Sequence, residues 1–292
     1  MTRTSIRAAA RSSSLQSRKS QPVTVHLRKM YVDCRHGQLH VHAAFPSSGG
    51  FDELTPLVCI HPGPLSGRVF RPLLSDLGRD RSVYAPDLPG HGESDAPDSP
   101  PSMAEYAAAV GDLIDTLRLR QVDLLGWQAG SLAAVELAIA RPQQIRRVVL
   151  AGVPVFDARE REVFNSRPWP ARAREDGGHL VEEWQRIRRS RGAKASTSRV
   201  GEDLAGSLRA GDSAAWGPTA AANYPAGERL PLLRQPALVL RPRDEFWDMS
   251  GRADSLIHES RRVDLPEQDG GLFDTGAGAG EVARYTRDFL DR

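Results

Sequence analysis

Short apolar segments alternate with segments whose apolar residues recur at helical spacing over most of the chain. This alternation is typical of a largely parallel β-sheet covered by helices. The first two apolar segments differ, because residues 30–34 and 38–45 are separated by only three residues, the last of them Gly37. A short turn in which Gly takes a positive φ predicts a β-hairpin there. Further strands are predicted at 57–61, 82–86, 121–125, 146–151, 237–241 and 261–265, and helices at 69–77, 103–117, 131–139 and 281–290.

The alternation stops between residues 155 and 230, where no strand-like segment is evident. Amphipathic segments that contain Arg and Trp, such as 179–189, predict helices inserted above the sheet. We therefore expect a core formed by residues 30–154 and 231–292, with a helical cap at 155–230 inserted into it. Residues 1–29 are expected to form a disordered basic leader.

Charge is distributed unevenly between the leader and the remainder of the chain. The chain has 292 residues and a formal net charge of +2, but residues 1–29 contain seven basic side chains and no acidic one. This composition favours a solvated tail, with an organelle-targeting peptide as the alternative. Without the leader the net charge is −5, which argues against the basic surface that nucleic acid binding requires.

No run of about 18 apolar residues that could span a bilayer is present in the sequence. Cys34 and Cys59 are the only cysteines, and each lies in a strand-like apolar segment. That setting favours buried thiols over a disulfide or a metal site. The sequence therefore predicts a cytoplasmic protein that needs no membrane, metal or cofactor.

Three motifs occur in order along the predicted sheet: HPGP at residues 61–64, DLPGHGES at 87–94 and GWQAG at 126–130. In this order the motifs resemble those of the α/β-hydrolase superfamily, in which the third is the nucleophile elbow GxSxG. The resemblance covers residues 30–292. It implies an α/β fold with a central, mostly parallel eight-stranded sheet flanked by helices, and an inserted helical cap.

Gln128 stands where the family has its nucleophile. The strand that ends near Leu125 must reverse sharply into a helix, so the resemblance implies a strained, positive-φ residue at position 128. Gly126 and Gly130 relieve crowding on either side of it. A carboxamide cannot ionise and is no useful nucleophile at neutral pH, so an ordinary acyl-enzyme cannot form on Gln128.

The resemblance also locates the two other members of the catalytic triad. The family's late histidine aligns with Gly270, so the residue that would act as base is missing. The acid position is retained, because Asp244 follows the strand predicted at 237–241. Gln128 and Asp244 are therefore the expected catalytic or ligand-contacting residues, although Asp244 could instead cap a helix or lie at the surface.

The family's oxyanion hole implies a backbone N–H from Ala129 and a second one from the HPGP turn. Proline has no N–H, so either Gly63 or Leu65 must supply the second donor. His61 and Trp127 are expected to lie beside this ligand-binding region. The histidines at positions 91, 179 and 258 are expected to be structural or exposed.

Three functions are consistent with these residues. The first is a family member that has lost the standard Ser-His-Asp machinery and binds a small apolar or carbonyl-bearing molecule under its cap. The second is a hydrolase, lyase or cyclase that uses Gln128 and Asp244 in an unorthodox way. The third is a structural or partner-binding protein in which the leader or the cap makes the contact.

Overall fold

One eight-stranded sheet forms the centre of the computed structural model, which describes residues 24–47, 53–167, 173–192, 195–268, 272–273 and 276–292. Its strands are β1 (Val25–Cys34), β2 (Gly37–Pro46), β3 (Leu54–Ile60), β4 (Arg81–Pro86), β5 (Val122–Trp127), β6 (Ile145–Ala151), β7 (Ala237–Pro242) and β8 (Ser260–Leu265). Their order across the sheet is β1-β2-β4-β3-β5-β6-β7-β8. β2 pairs antiparallel with β1 and with β4, and all other neighbours are parallel. This architecture confirms the predicted fold class.

Helices cover both faces of the sheet. They are α1 (Arg71–Leu77), α2 (Met103–Thr116), α3 (Ala129–Ala140), α4 (Ala158–Asn165), α5 (Gly178–Arg191), α6 (Thr197–Ala210), α7 (Trp216–Asn223), α8 (Ala226–Arg229), α9 (Trp247–Leu256) and α10 (Gly276–Leu290). Apolar residues of α2 and α3 pack on one face, and those of α1 and α10 pack on the other. Ser102 caps α2 as predicted, since its hydroxyl accepts a hydrogen bond from the Glu105 N–H.

The hairpin predicted at the start of the chain is present, but its first strand is longer than expected. β1 begins at Val25, which pairs with Pro46, so residues 25–29 belong to the sheet and not to a disordered leader. The apolar pattern does not reveal this extension, because β1 is an edge strand with several exposed side chains. Residues 1–23 of the predicted leader lie outside the described residues.

Helices α4 to α8 lie between β6 and β7, in the interval where the sequence predicts inserted helices. The segment predicted as helical at 179–189 lies within α5, which begins one residue earlier and ends two residues later. In the described residues, no helix is long and apolar enough to cross a membrane.

Candidate functional site

Gln128 lies at the sharp turn between β5 and α3, with φ 50° and ψ −119°. Glycine on either side makes this turn possible. A Cβ at Gly126 would lie 2.4 Å from the Gly130 carbonyl oxygen, and a Cβ at Gly130 would lie 2.1 Å from the Ile60 carbonyl oxygen. A left-handed non-glycine residue costs about 1–3 kcal/mol, so the surrounding packing must hold Gln128 in place.

Hydrogen bonds fix the backbone of this turn. The Gln128 N–H donates to the Ala151 carbonyl oxygen at 2.8 Å. The Ser131 hydroxyl donates to the Gln128 carbonyl oxygen at 2.5 Å, and the Ser131 N–H donates to the same oxygen at 2.8 Å. The carboxamide of Gln128 is therefore held at the carboxyl end of a central strand, which is where open α/β sheets bind ligands.

The side chains of Gln128 and Asp244 meet although they are 116 positions apart. The Gln128 Nε2 donates to the Asp244 Oδ2 at 3.3 Å, and the Phe246 N–H donates to the Asp244 Oδ1 at 2.9 Å. Gly152, which follows β6, leaves room for this pair, because a Cβ there would lie 2.7 Å from the Asp244 Oδ2. The sequence motifs did not indicate this role of Gly152, since only the folded chain brings it beside both side chains.

The environment of Asp244 favours its neutral form. Burial raises the pKa of this carboxyl group from its ordinary value of 3.8 to about 6, while the hydrogen bonds from Phe246 and Gln128 lower it and the nearby Glu245 raises it. Its carboxyl group therefore changes charge close to neutral pH. A carboxyl pKa raised by burial in a cleft is a common property of catalytic acids and bases.

A cavity of about 70 Å³ lies over the turn, between the sheet and the helices inserted after β6. It exceeds the roughly 30 Å³ share of one water molecule and falls well below the 300 Å³ or more of typical ligand pockets. Trp127, Gln128 and the loop at Pro62, Gly63, Pro64 and Leu65 form its floor. The cavity therefore has room for a chemical group of a few heavy atoms.

The structure narrows the choice of oxyanion donor. The Leu65 N–H donates to the Pro62 carbonyl oxygen at 3.0 Å, so this N–H is already used within the turn. Gly63 lines the cavity and remains the candidate for the second donor. Ala129 is the first residue of α3, and its N–H is one of the four that a helix start leaves without an intrahelical acceptor.

Charged residues of α5 and α6 cover the cavity. Arg191 reaches the Asp203 Oδ2 from its Nε at 2.6 Å, and its guanidinium lies 5.0 Å from the centre of the Trp127 ring. Arg186 donates from its Nε to the Glu183 Oε2 at 2.7 Å. Sequence analysis did not single out these arginines, because a helical spacing alone does not show which side chains face the sheet.

Two buried histidines, His61 and His91, lie near this loop. His61 has its Nδ1 2.9 Å from the Pro62 carbonyl oxygen, and its Nε2 accepts the Leu88 N–H at 2.8 Å. Burial lowers the pKa of His61 and also lowers that of His91, to about 3. Both imidazoles are therefore neutral at pH 7. Both ring nitrogens of His61 are bonded to backbone groups, and His61 is not among the residues that line the cavity.

The position aligned with the family's triad histidine, Gly270, lies outside the described residues. The segment that follows it is partly described. Phe273 packs edge-on against Trp127, with 4.9 Å between the ring centres, and against Phe70 with 5.0 Å. These contacts place Phe273 against Trp127 at the end of β5, one residue before Gln128.

Part of this chain is similar to curated hydrolases and esterases. A 2-hydroxymuconate semialdehyde hydrolase of Pseudomonas sp. (strain CF600) is 36% identical over 115 residues, which are 36% of this chain and 38% of that protein. A pimeloyl-[acyl-carrier protein] methyl ester esterase of Xanthomonas campestris pv. campestris is 33% identical over 115 residues, or 37% of this chain and 44% of the esterase. The chain thus matches less than half the length of each of these curated relatives.

The fold comparison extends over nearly the whole chain. The crystal structure of the enol-lactonase from Burkholderia xenovorans LB400 superimposes with a TM-score of 0.72 at 21% identity, over 90% of this chain and 100% of that one. The family described as alpha/beta hydrolase fold matches residues 55–231, which include both the DLPGHGES motif and the turn at Gln128. The chain therefore belongs to the alpha/beta hydrolase fold family.

Proposed function

We propose that this chain binds a small carbonyl-bearing molecule in the cavity over Gln128, under the helices inserted after β6, and does not form an acyl-enzyme. The observation that carries the proposal is the contact between the Gln128 Nε2 and the Asp244 Oδ2, at 3.3 Å. These are the two positions at which the resemblance implies a nucleophile and its acid. An amide has both a donor and an acceptor, so Gln128 can bind a carbonyl or hydroxyl group but cannot attack it.

The lining of the cavity favours a carbonyl-bearing ligand over a purely apolar one. Arg186, Arg191, Asp203 and Glu245 surround the space above Gln128. Backbone N–H groups at Gly63 and Ala129 are suited to an oxygen that carries partial negative charge. A small cavity of about 70 Å³ fits a group the size of an acetyl or carboxyl end, with the remainder of the molecule directed outward.

A fluorophosphonate probe tests the absence of a covalent step. We expect the native chain to stay unlabelled, because no activated hydroxyl occupies position 128. Mass spectrometry of the intact protein measures the extent of labelling, and an active serine esterase in the same mixture is the positive control. The variant Gln128→Ala gives the background at surface side chains. Stoichiometric labelling of a cavity residue in the native chain would refute the proposal.

A second candidate function, general-base catalysis without a covalent intermediate, is favoured by the raised pKa of Asp244. A base with a pKa of about 6 is largely ionised at neutral pH and still accepts protons well. Hydrolase names among the relatives are consistent with such turnover. In this mechanism Gln128 orients a water molecule or the substrate, and Asp244 removes the proton.

Hydrolysis of p-nitrophenyl acetate tests this second candidate. We expect turnover without an initial burst, with a rate that rises as pH increases through about 6, because only the ionised Asp244 accepts a proton. Asp244→Asn is expected to remove at least about 99% of the rate, the lower end of the 10²-fold to 10⁴-fold contribution of a general base. Gln128→Ala is expected to lower the rate as well, because it removes the amide that orients the water or the substrate. Full activity in both variants would show that neither Gln128 nor Asp244 takes part in the reaction.

A further inference from the structure

A second cluster of polar side chains lies on the antiparallel side of the sheet, away from Gln128. His40 and His42 are two residues apart on β2, so their side chains project to the same face. Asp87 immediately follows β4, the strand that pairs with β2. All three side chains are buried, and one ring nitrogen of each histidine and one carboxylate oxygen lie within 4.8 Å of one another.

Asp87 holds His40 in a defined orientation. The His40 Nδ1 lies 2.9 Å from the Asp87 Oδ2, and the same carboxylate accepts the Gly67 N–H at 2.7 Å and the Glu93 N–H at 3.0 Å. A divalent cation held by both residues would take the place of the proton in this contact, because a carboxylate at Nδ1 is too far away to ligate a cation bound at Nε2.

His42 completes a pair of adjacent imidazoles. Its ring centre lies 4.7 Å from that of His40, at an interplanar angle of 85°. Both rings line a cavity of about 500 Å³, which leaves space for water or another ligand beside them. The cavity also contains cationic side chains, of which Arg199 pairs with Asp203 at 3.2 Å and Arg209 pairs with Glu93 at 2.5 Å. Lys29 and Arg68 also line the cavity, and the four cations face an equal number of carboxylates, Asp87, Glu93, Glu202 and Asp203.

We propose that His40, His42 and Asp87 form a binding site for one divalent transition-metal cation of the Zn²⁺ and Co²⁺ class. Two imidazoles and a carboxylate are a ligand set that such cations prefer. Ligand atoms around a tetrahedral Zn²⁺ lie roughly 3.3 Å apart, given bonds of about 2.0–2.1 Å. The His40 Nδ1 and the Asp87 Oδ2, at 2.9 Å, are already near this separation, and the spread of up to 4.8 Å within the cluster must narrow around the ion. The sequence predicted no metal site, because positions 40 and 87 become neighbours only through the pairing of β2 with β4.

Titration of the full chain with CoCl₂ tests this site, after removal of any affinity tag and dialysis against a chelator. We expect one Co²⁺ per chain, detected by its visible absorption, and its displacement by Zn²⁺. His42→Asn and His42→Gln are each expected to weaken binding at least about 10-fold, the smallest effect usual for altering a metal site. Position 42 suits this test because His42, unlike His40, does not hold the Asp87 carboxylate.

His258→Asn is the matched control, because His258 is exposed and precedes β8 at the opposite edge of the sheet. This variant should bind Co²⁺ as the native chain does. The proposal fails if the native chain takes up no Co²⁺, or if both His42 variants bind it with unchanged affinity while keeping the native melting temperature. Metal binding is measured without reference to turnover, so the outcome is independent of the role of Gln128 and Asp244.

Discussion

Gly130→Ala is expected to lower the free energy of unfolding by roughly 3 kcal/mol, at the upper end of the cost of overpacking. Helix propensity alone predicts a gain in stability instead, because Ala stabilises a helix interior relative to Gly by about 1 kcal/mol. Sterics decide the outcome. The added methyl group would lie 2.1 Å from the Ile60 carbonyl oxygen and 2.7 Å from that of His61. Both are backbone atoms, so relief requires α3 to move away from β3 and distorts the turn at Gln128.

Urea denaturation of Gly130→Ala and Gly201→Ala provides a matched comparison. Gly201 lies within α6, and the nearest atom to a Cβ there is a ring carbon of Trp184 at 3.9 Å, an ordinary contact. Gly201→Ala is therefore expected to raise the free energy of unfolding by about 0.5–1 kcal/mol. If the two substitutions change stability in the same direction, close packing of α3 on β3 does not explain the glycine at position 130.

The elbow could be predicted from sequence because its causes are local. A strand, a residue with glycine two positions away on either side and a helix follow one another within about ten positions, and each has its own signal in the sequence. The structure has this arrangement, with β5 ending at Trp127 and α3 beginning at Ala129. Sequence reasoning set the end of β5 two residues early, since GWQAG reads as a glycine turn although Gly126 and Trp127 still belong to the strand.

Features that depend on distant pairing could not be predicted in this way. The pairing of His40 with Asp87 and the room that Gly152 leaves for Asp244 both arise from the order of strands in the sheet. The choice between Gly63 and Leu65 as the second oxyanion donor also required the structure, because the sequence does not reveal the hydrogen bond from Leu65 to Pro62. The family resemblance supplied the positions of both Gln128 and Asp244, and the structure adds the hydrogen bond between them.

The contact between Gln128 and Asp244 has a physical explanation that does not depend on any particular reaction. A carboxyl group that is buried without a hydrogen-bond partner is costly. In this chain the Gln128 amide and the Phe246 N–H supply two donors to Asp244. Both donors are neutral, and they only partly offset the desolvation that raises its pKa. The ionised form of Asp244 should therefore be a source of instability in the folded chain.

Asp244→Asn is expected to stabilise the chain at pH 8 and to have little effect at pH 4. The folded-state pKa of about 6 is higher than the ordinary value of 3.8, so the favourable contribution of the protonated group is complete below pH 3.8 and is lost as pH rises through 6. Asn resembles the protonated form at every pH. Because a shift of one pKa unit corresponds to about 1.4 kcal/mol, the gain at pH 8 should be about 1–3 kcal/mol.

Denaturation by urea at pH 4, 6 and 8 measures this gain, and Asp248→Asn is the matched control. Asp248 lies in the first turn of α9 with 89% of its side chain exposed, and its nearest cation is Arg241 at 3.6 Å. Removing an exposed charge of this kind changes stability by well under about 1 kcal/mol, with little dependence on pH. If ionised Asp244 destabilises the folded chain, the difference in free energy of unfolding between Asp244→Asn and Asp248→Asn should grow with pH. If Asp244→Asn destabilises the chain at pH 8, Asp244 serves mainly as a structural acceptor for Phe246 and Gln128, and its role as a base is contradicted.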